Sequence, residues 1–364
     1  MGGLRVWIDA LGLDSEASGI GHYIRALVST YAARYPDDVV KAFVQPNVSL
    51  DAVDCLAVAH SLSSRGRIWY EQRQIPRRLR HEVYDVVHFP DYQLPWLTPL
   101  PRTVMTVHDL AAFVLPDVFP QSKTRVKQFL MRRSVRLARR IIVPSKATRQ
   151  DLIDILSVPP EKIRVIPHGV KPLGRPLPER VYARPYFLAV GTVEPRKNFS
   201  GLIRAYHLLR ERRKDVPDLV IAGRLGWMYE ETLALPAKLG VAESVKFLQY
   251  VSEEILSALY RDAIALVYPS YYEGFGLPVI EAMQMGLAVI TSSTSALAEL
   301  GENSVWRVDP RDIDSIAQQM AEILDNSDEV ARRCVMAKLW AGRLTWDTAA
   351  SLTRQVYEEA ALGG

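Results

Sequence analysis

A glycine-rich segment between two glutamates is the strongest indication of chemistry in this sequence. The seven residues between Glu273 and Glu281 are Gly-Phe-Gly-Leu-Pro-Val-Ile, and they follow the apolar run 265–269. Glycines let the backbone approach a ligand closely, and the free N–H groups at a helix start attract phosphate. We expect that helix to begin at Pro278. The carboxylates would repel phosphate but accept hydrogen bonds from sugar or ribose hydroxyls. The pattern therefore predicts a nucleotide-sugar site, the alternative being a strand–turn–helix junction with exposed glutamates.

An adjacent arginine and lysine supply positive charge in the same half of the chain. Arg196 and Lys197 follow the apolar run 186–190 and precede a helical pattern that Asn198 is expected to cap. A departing diphosphate gains negative charge in the transition state, so fixed cations stabilise it more than they stabilise the ground state. These two residues are therefore candidates for phosphate binding. The alternative is a solvated pair on a loop.

Two features of the first half have weaker signals. Gly19 and Gly21 lack the third glycine of a dinucleotide-binding fingerprint and come ten residues after the first strand, so they form either a flexible loop or a backbone clamp on a diphosphate. His108 ends an apolar strand and precedes Asp109, which is a candidate for orienting it. A lone histidine in such a position is more often structural than chemical. His168 is expected to fix the hinge between the two halves.

Apolar β-rich runs alternate with helical patterns along the whole chain, which indicates parallel sheets covered by helices on both faces. The interval 171–185 contains five prolines or glycines and is the natural linker. We therefore predict an α/β protein with two doubly wound domains, at 1–170 and 186–347. Ligands of such sheets bind beyond the carboxyl ends of the strands, so we expect a site in a cleft between the domains.

The composition is that of an ordinary globular protein. Of 364 residues, 48% are hydrophobic and 24% are charged, which excludes disordered, collagen-like and coiled-coil classes. No apolar run approaches the ~20 residues of a membrane-spanning helix. The first strand-like segment begins near the start, so we expect no signal peptide and a cytoplasmic location. Cys55 and Cys334 indicate neither a disulfide framework nor a metal site.

The net charge of +4 is unevenly distributed. Residues 1–170 contain 23 basic and 16 acidic side chains, so the first half is positive. Much of the excess lies in two basic patches, 65–80 and 122–140, where apolar and aromatic residues are interspersed. Such helices dock on anionic membranes, although a solvated helix face is the alternative. No nucleic-acid-binding module surrounds them, so we expect no nucleic-acid partner.

Several segments together resemble the retaining GT-B glycosyltransferases of the family-4 type, over nearly the whole chain. The segment from Glu273 to Met283 carries the strongest likeness, with its two glutamates eight positions apart. The other segments that match in order are Gly19–Gly21, Thr106–Leu110, Val143–Ser145, Ile166–Val170, Gly191–Asn198 and Leu344–Asp347. The resemblance implies the GT-B fold, two Rossmann-like domains that face each other across a cleft, with a last helix at about 348–364 crossing back to the first domain.

The resemblance also implies roles for individual residues. It places His108 against the donor sugar, Glu273 on sugar hydroxyls, Glu281 on the ribose, and Arg196 and Lys197 on the diphosphate. Further donor-binding candidates are Gly19, Gly21, Arg224, Tyr250, Val251, Gly274, Phe275, Gly276 and Leu277. The family commonly has a glycine where this chain has Gln249-Tyr250, which leaves the base open. The resemblance implies no metal and no other cofactor.

The expected activity is transfer of a sugar from a nucleotide diphosphate sugar to a lipid-linked or saccharide acceptor, with retention of anomeric configuration. The segment Gly191–Asn198 resembles bacterial mannosyltransferases of polysaccharide assembly, so GDP-mannose is the leading donor, and UDP-glucose or a related UDP-sugar is the alternative. A non-catalytic nucleotide-sugar-binding scaffold would keep the same motifs. Asp312-Ile313-Asp314 spells a metal-binding motif, but we expect Asp312 to cap a helix. We expect peripheral association with the inner face of the cell membrane.

Overall fold

A computed structural model describes residues 3–13, 19–171 and 173–362. Pro172, which belongs to the predicted linker, lies outside the described residues, and so do the side chains of residues 64 and 121–123. The strands are β1 (Arg5–Asp9), β2 (Val39–Val44), β3 (Asp54–Ala57), β4 (Val86–Phe89), β5 (Thr103–Thr106), β6 (Arg140–Val143), β7 (Ile163–Val165), β8 (Tyr186–Val190), β9 (Asp218–Ala222), β10 (Val245–Gln249), β11 (Ala265–Tyr268), β12 (Ala288–Ser292) and β13 (Trp306–Val308).

Helices of four to seventeen residues connect these strands. They are α1 (Gly19–Arg34), α2 (Ser64–Leu79), α3 (Ala111–Val114), α4 (Gln121–Leu137), α5 (Lys146–Leu156), α6 (Phe199–Arg212), α7 (Glu230–Lys238), α8 (Glu253–Asp262), α9 (Leu277–Gln284), α10 (Ile313–Asp325), α11 (Ser327–Ala341) and α12 (Trp346–Ala361). The chain divides into two compact units between Gly169 and Val170 and again between Arg343 and Leu344. The second unit also includes Asp117–Phe119.

The first unit is built on a parallel sheet with strand order β3-β2-β1-β4-β5-β6-β7. Successive residues of β1 face opposite sides, as the pleat of a strand requires. Val6 and Ile8 pack in the core that α1 and α12 cover, whereas Trp7 packs on the other face, which α2, α4 and α5 cover. Because both faces are covered, the strands are apolar throughout, which explains their continuous hydrophobic runs.

The second unit has a parallel sheet in the order β10-β9-β8-β11-β12-β13. The strands of this sheet are joined through helices, and α6 and α10 pack on one of its faces. The order reverses between β8 and β11, which is the topological switch point where ligands of doubly wound sheets bind. The prediction of two doubly wound α/β domains is confirmed.

Some local predictions were wrong at helix starts. The helix after the glycine-rich segment begins at Leu277, so Pro278 occupies the second helical position and Gly276 the N-cap. Of the two interpretations of Gly19 and Gly21, the flexible loop is wrong, since both residues belong to the first turn of α1, and the backbone clamp at a helix start stays a prediction. Asn198 has a left-handed backbone and does not cap α6 through its side chain. Its amide nitrogen donates instead to the carbonyl oxygens of Pro269 and Pro310.

The interpretation of Asp312 as a helix cap is confirmed. Its Oδ1 accepts a hydrogen bond from the backbone N–H of Ser315 at 3.0 Å, which satisfies one of the free donors at the start of α10. Asp314 pairs with Arg212 across the surface of the second unit. The two carboxylates of this motif therefore have structural partners.

Candidate active site

The carboxyl ends of four neighbouring strands gather most of the predicted residues of the second unit. Arg196 and Lys197 follow β8, Arg224 follows β9, Tyr250 follows β10, and Glu273 follows β11. Because all four strands are parallel and adjacent, their carboxyl ends lie along one edge of the sheet. This edge contains the switch point between β8 and β11, so Arg196, Lys197 and Glu273 lie where a ligand is expected.

Arg196, Lys197 and Glu273 are in direct contact. Lys197 Nζ lies 2.6 Å from Glu273 Oε1, and Arg196 Nη1 lies 2.8 Å from Glu273 Oε2. Each cation therefore holds one oxygen of the same carboxylate. The two loops are also joined through their backbones, since the N–H of Tyr271 donates to the carbonyl oxygen of Arg196 at 3.0 Å. The result is a buried ion-pair cluster that locks the β8 and β11 loops together.

The cluster keeps Glu273 ionised. Burial by itself would raise the pKa of the Glu273 carboxyl, but the charges of Arg196 and Lys197 outweigh burial and lower it to about 2. Burial lowers the pKa of the Lys197 ammonium, and Glu273 opposes that change. A carboxylate with a permanent charge is a strong acceptor for sugar hydroxyls.

Sequence reasoning missed two members of this cluster, Tyr268 and Glu194. The Tyr268 hydroxyl donates to Glu273 Oε1 at 3.0 Å and accepts from Lys197 Nζ at 2.5 Å. Glu194 Oε1 accepts from Arg196 Nε at 2.9 Å, and burial raises the pKa of this carboxyl. The signal for Tyr268 was its position as the last residue of a buried strand that leads into the glycine-rich segment. Glu194 belongs to the segment Gly191–Asn198, and the sequence alone indicates no individual role for it.

The glycine-rich segment is held in a fixed conformation before α9. Gly276 has a φ of 91°, and a Cβ there would lie 2.6 Å from a side-chain carbon of Leu297, so only glycine fits. At the start of the segment, the backbone N–H of Glu273 donates to Ser295 Oγ at 3.0 Å. Gly274, Phe275, Gly276 and Leu277 thus run from the ion-pair cluster to the N-terminus of α9, the end of a helix whose dipole favours anions.

Glu281 lies in the second turn of α9, away from the ion-pair cluster. Its Oε2 accepts a hydrogen bond from the Tyr260 hydroxyl at 3.1 Å, and that hydroxyl also contacts the carbonyl oxygen of Pro278 at 3.2 Å. Burial raises the pKa of the Glu281 carboxyl to about 7, and the Tyr260 hydrogen bond partly opposes this rise. The pKa values of the two glutamates are therefore shifted in opposite directions, that of Glu273 downward by neighbouring cations and that of Glu281 upward by burial.

Arg224 and Tyr250 form a pair at the ends of β9 and β10. The guanidinium carbon of Arg224 lies 5.3 Å from the centre of the Tyr250 ring, which is within the range of a cation–π contact. Tyr250 is 62% exposed, so one face of this large aromatic ring is open to solvent. Val251 follows and is half-buried. A planar exposed ring beside a cation is suited to stacking on a planar heterocycle.

His108 belongs to the first unit, where both of its ring nitrogens have partners. Nε2 lies 3.0 Å from the carbonyl oxygen of Pro90, which can only accept, so Nε2 carries the proton. Nδ1 therefore accepts from His168 Nε2 at 3.3 Å. Burial lowers the pKa of both histidines, which keeps them neutral. The Tyr23 ring packs edge-on against His108, with ring centres 4.8 Å apart.

The predicted companions of His108 have local roles in the first unit. The Asp109 carboxylate accepts from the backbone N–H of Ala111 at 3.0 Å. The ring of His168 stacks on Trp346, at the start of α12, with an interplanar angle of 14°. Gly19 and Gly21 open α1 in the same unit, and Gly19 has open space where a side chain would project. The first unit therefore holds His108, Gly19 and Gly21, and the second holds the other predicted site residues.

The basic patches contain two arginines that are not available to a membrane. Arg67 donates to Glu71 at 2.5 Å and to Asp91 at 3.0 Å inside the first unit. Arg140 pairs with Glu359 of α12 at 2.7 Å. For these two residues the prediction of a surface patch is wrong, because carboxylates of the first unit neutralise them. The side chain of Lys123, another member, lies outside the described atoms.

Two doubly wound units in one chain, each with its own parallel sheet, define the GT-B fold. O-antigen chain mannosyltransferase B of Escherichia coli is 32% identical over 301 residues, which covers 78% of this chain and 77% of that relative. Residues 17–173 match glycosyltransferase family 4, and residues 179–338 match the glycosyl transferases group 1. The chain belongs to glycosyltransferase family 4 and is a GT-B glycosyltransferase.

Two further comparisons agree with this assignment. O-antigen chain mannosyltransferase RfbU of Salmonella typhimurium is 31% identical over 235 residues, 64% of each chain. Among solved structures, sucrose-phosphate synthase from Thermosynechococcus elongatus superposes with a TM-score of 0.81 at 20% identity. That superposition covers 99% of this chain and all of the other, so it extends the likeness of fold to both units.

Proposed function

We propose that this glycosyltransferase moves a mannosyl group from GDP-mannose to a lipid-linked or saccharide acceptor, with retention of configuration, in cell-surface polysaccharide assembly. The observation that carries the proposal is the cluster of Arg196, Lys197 and Glu273 at the switch point of the second sheet. The names of the two mannosyltransferase relatives support mannose as the sugar. A UDP-sugar such as UDP-glucose is the alternative donor, and a non-catalytic nucleotide-sugar scaffold is the alternative function.

The spread of these residues over the ends of neighbouring strands supports an extended donor. The exposed Tyr250 ring, beside Arg224, would stack on the base, and Glu281 would accept from the ribose hydroxyls. Arg196 and Lys197 would bind the diphosphate together with the N–H groups of Gly274–Leu277, and Glu273 would accept from the sugar hydroxyls. Since the leaving diphosphate gains charge as the glycosidic bond breaks, the two cations stabilise the transition state more than the bound donor.

The proposed transfer needs no covalent intermediate on the protein. The bond between the anomeric carbon and the phosphate oxygen breaks, and the acceptor oxygen bonds to the same face of that carbon. The acceptor proton passes to the departing phosphate oxygen. Because both ring nitrogens of His108 are already hydrogen-bonded, we propose that its backbone, and not its imidazole, supports the sugar.

A panel of nucleotide sugars tests the donor assignment. A ligand that binds only the folded protein raises the unfolding temperature, and the rise grows with affinity. We expect GDP-mannose to give the largest thermal shift and UDP-glucose a smaller one. A larger shift with UDP-glucose would overturn the assignment of the base, and a panel without any shift would overturn the donor site itself.

Donor affinity should increase as the pH rises through about 7, the pKa of Glu281 in the free protein. Below that pH the carboxyl is protonated and becomes a weaker acceptor for the ribose hydroxyls. The phosphodiester groups of GDP-mannose keep their charge throughout, so calorimetric titration from about pH 5.5 to 8.5 reports the titration of Glu281.

Glu281→Gln should bind weakly, and its affinity should show no such transition with pH. Tyr260→Phe should move the midpoint upward, because the Tyr260 hydrogen bond lowers this pKa. A wild-type transition that persists in Glu281→Gln would refute the ribose assignment.

We also propose that the basic patches of the first unit dock on an anionic membrane. Arg65, Trp69, Arg73 and Arg77 are spaced four residues apart on α2, and all four are exposed. On α4 the exposed residues include Arg125, Val126, Phe129, Arg132, Arg133 and Arg136. Large apolar side chains thus share the solvent-facing side with the arginines. None of the helices in the described part of the chain combines the length and apolar composition of a membrane-spanning segment.

Flotation with lipid vesicles tests this docking surface. We expect binding to vesicles that contain phosphatidylglycerol and none to pure phosphatidylcholine, because each arginine near an anionic surface contributes about 1 kcal/mol. The double variant Trp69→Ser/Phe129→Ser should float less. The matched control is Val335→Ser/Leu339→Ser, which alters two exposed apolar residues of α11 in the other unit and should bind as the wild type does. Equal flotation of both double variants would show that Trp69 and Phe129 do not contribute to binding, and no flotation of the wild type with either kind of vesicle would mean that the patches are a solvated surface.

A further inference from the structure

The Arg196 guanidinium is held by two carboxylates at once. Its Nε and Nη2 each lie 2.9 Å from Glu194 Oε1, and its Nη1 lies 2.8 Å from Glu273 Oε2. Nη1 also donates to the carbonyl oxygen of Tyr272 at 3.0 Å. Glu273 and Tyr272 belong to the β11 loop, whereas Glu194 lies in the same loop as Arg196. Both contacts from the β11 loop reach the same nitrogen, Nη1, and Glu194 holds the other two nitrogens.

Besides these hydrogen bonds, Glu194 brings a second negative charge against Arg196. Within this cluster of described residues, Arg196 and Lys197 carry two positive charges, and Glu194 and Glu273 carry two negative ones. Glu194 is only 6% exposed, so water screens its charge weakly. Glu273 is the proposed ligand of the donor sugar, but Glu194 lies on the side of Arg196 opposite that contact. A diphosphate that binds Arg196 must compete with this second carboxylate.

The competition affects product more strongly than substrate. In a nucleotide sugar, the diphosphate is esterified at both ends, to the nucleoside and to the sugar. Its two phosphates together carry about two negative charges at neutral pH. In the released nucleoside diphosphate, the terminal phosphate gains a further ionisable oxygen and with it up to one more negative charge. Coulombic repulsion by a fixed carboxylate grows with the charge of the ligand. Glu194 therefore disfavours the diphosphate product more than the donor.

We propose that Glu194 is a positioning residue that competes with the diphosphate for Arg196, lowers product affinity and so allows the product to leave. This inference rests on the proposed function, because it requires a nucleoside diphosphate at Arg196 and Lys197. Glu194 would thus affect turnover without contacting the reacting atoms. Without it, the two cations would hold the product tightly and turnover would be limited by its release.

Calorimetric titration of Glu194→Gln with GDP and with GDP-mannose tests the proposal. Glutamine keeps a side-chain oxygen that accepts from Arg196 but removes the charge. We expect the dissociation constant of GDP to fall by about tenfold, and that of GDP-mannose to fall less. In multiple turnover, inhibition by added GDP should strengthen in parallel. Glu243→Gln is the matched control, since Glu243 is an exposed carboxylate of the same unit and precedes β10. The GDP affinity of this variant should equal that of the wild type.

The other outcomes separate this inference from the site on which it rests. Weaker GDP binding in Glu194→Gln would mean that Glu194 only holds Arg196 in place, and unchanged binding would mean that its charge has no effect. Either result overturns the inference while the donor site stands. Loss of GDP binding in Lys197→Ala would support that site independently. If the wild type binds neither GDP nor UDP, the proposed function itself fails. Unfolding temperatures of each variant verify that the proteins compared are folded.

Discussion

Replacing Lys197 by alanine is expected to slow glycosyl transfer by about 10²- to 10³-fold, the range measured when a single donor is removed from a preorganised anion site. Lys197 Nζ is one of two side-chain cations in contact with Glu273, and it lies at the end of β8, where the proposed diphosphate binds. Its loss removes stabilisation from a group whose charge increases during the reaction. The assay is initial-rate transfer from radiolabelled GDP-mannose, with the unfolding temperature measured alongside.

The fold should tolerate this substitution. Glu273 keeps its ion pair with Arg196 and its hydrogen bond from Tyr268, so its carboxylate is not left unpaired. Lys197→Met is a second variant that removes the charge and fills most of the space. Lys238→Ala, on an exposed turn of α7, is the matched control and should be fully active. Full activity in Lys197→Ala would contradict the assignment of the diphosphate site.

Replacing Glu273 by glutamine should both abolish transfer and destabilise the second unit by about 3 kcal/mol at neutral pH. The folded-state pKa of about 2 is lower than the ordinary glutamate value of 4.5. Ionised Glu273 therefore stabilises the folded protein fully above about pH 5, and this contribution is lost as the pH falls toward 2. The variant also leaves Arg196 and Lys197 without their shared counter-charge.

Urea unfolding at two pH values tests this prediction. We expect the wild type to exceed Glu273→Gln in stability by the full amount at pH 7, and by clearly less near pH 3. Tyr268→Phe is the comparison variant, because it removes the hydroxyl that donates to the same carboxylate and accepts from Lys197 but leaves the Glu273 charge in place, and it should cost about 2 kcal/mol. A stability difference that stays constant with pH would show that the Glu273 charge does not couple to folding.

The sequence alone predicts the features that depend on local patterns of residue type. Continuous apolar runs that alternate with helical patterns predict two parallel sheets, because strands buried on both faces must be apolar throughout. The positions of Arg196 and Glu273 after such runs place them at strand carboxyl ends. Their mutual contact then follows from sheet topology, since β8 and β11 are neighbours although 77 positions separate the two residues.

Other features depend on contacts that no local pattern encodes. Arg140 was predicted to lie in an exposed patch, but it pairs with Glu359, which is 219 positions away. The position of Tyr268 before the glycine-rich segment is a weak signal, because a buried aromatic at a strand end is also ordinary core composition. Asn198 resembled a helix cap, yet its amide joins two loops of the second unit. In each case long-range packing, and not residue type, decided the role.

The central claim is that the cluster of Arg196, Lys197 and Glu273 serves the turnover of a nucleotide diphosphate sugar, and release of GDP from radiolabelled GDP-mannose tests it most directly. The measurement compares the wild type with Lys197→Ala, in the presence of vesicles that carry lipid-linked saccharide and in their absence. We expect GDP release by the wild type, faster with acceptor, and its loss in Lys197→Ala. Donor binding by the wild type without any release under either condition would contradict a role in turnover and favour a non-catalytic scaffold.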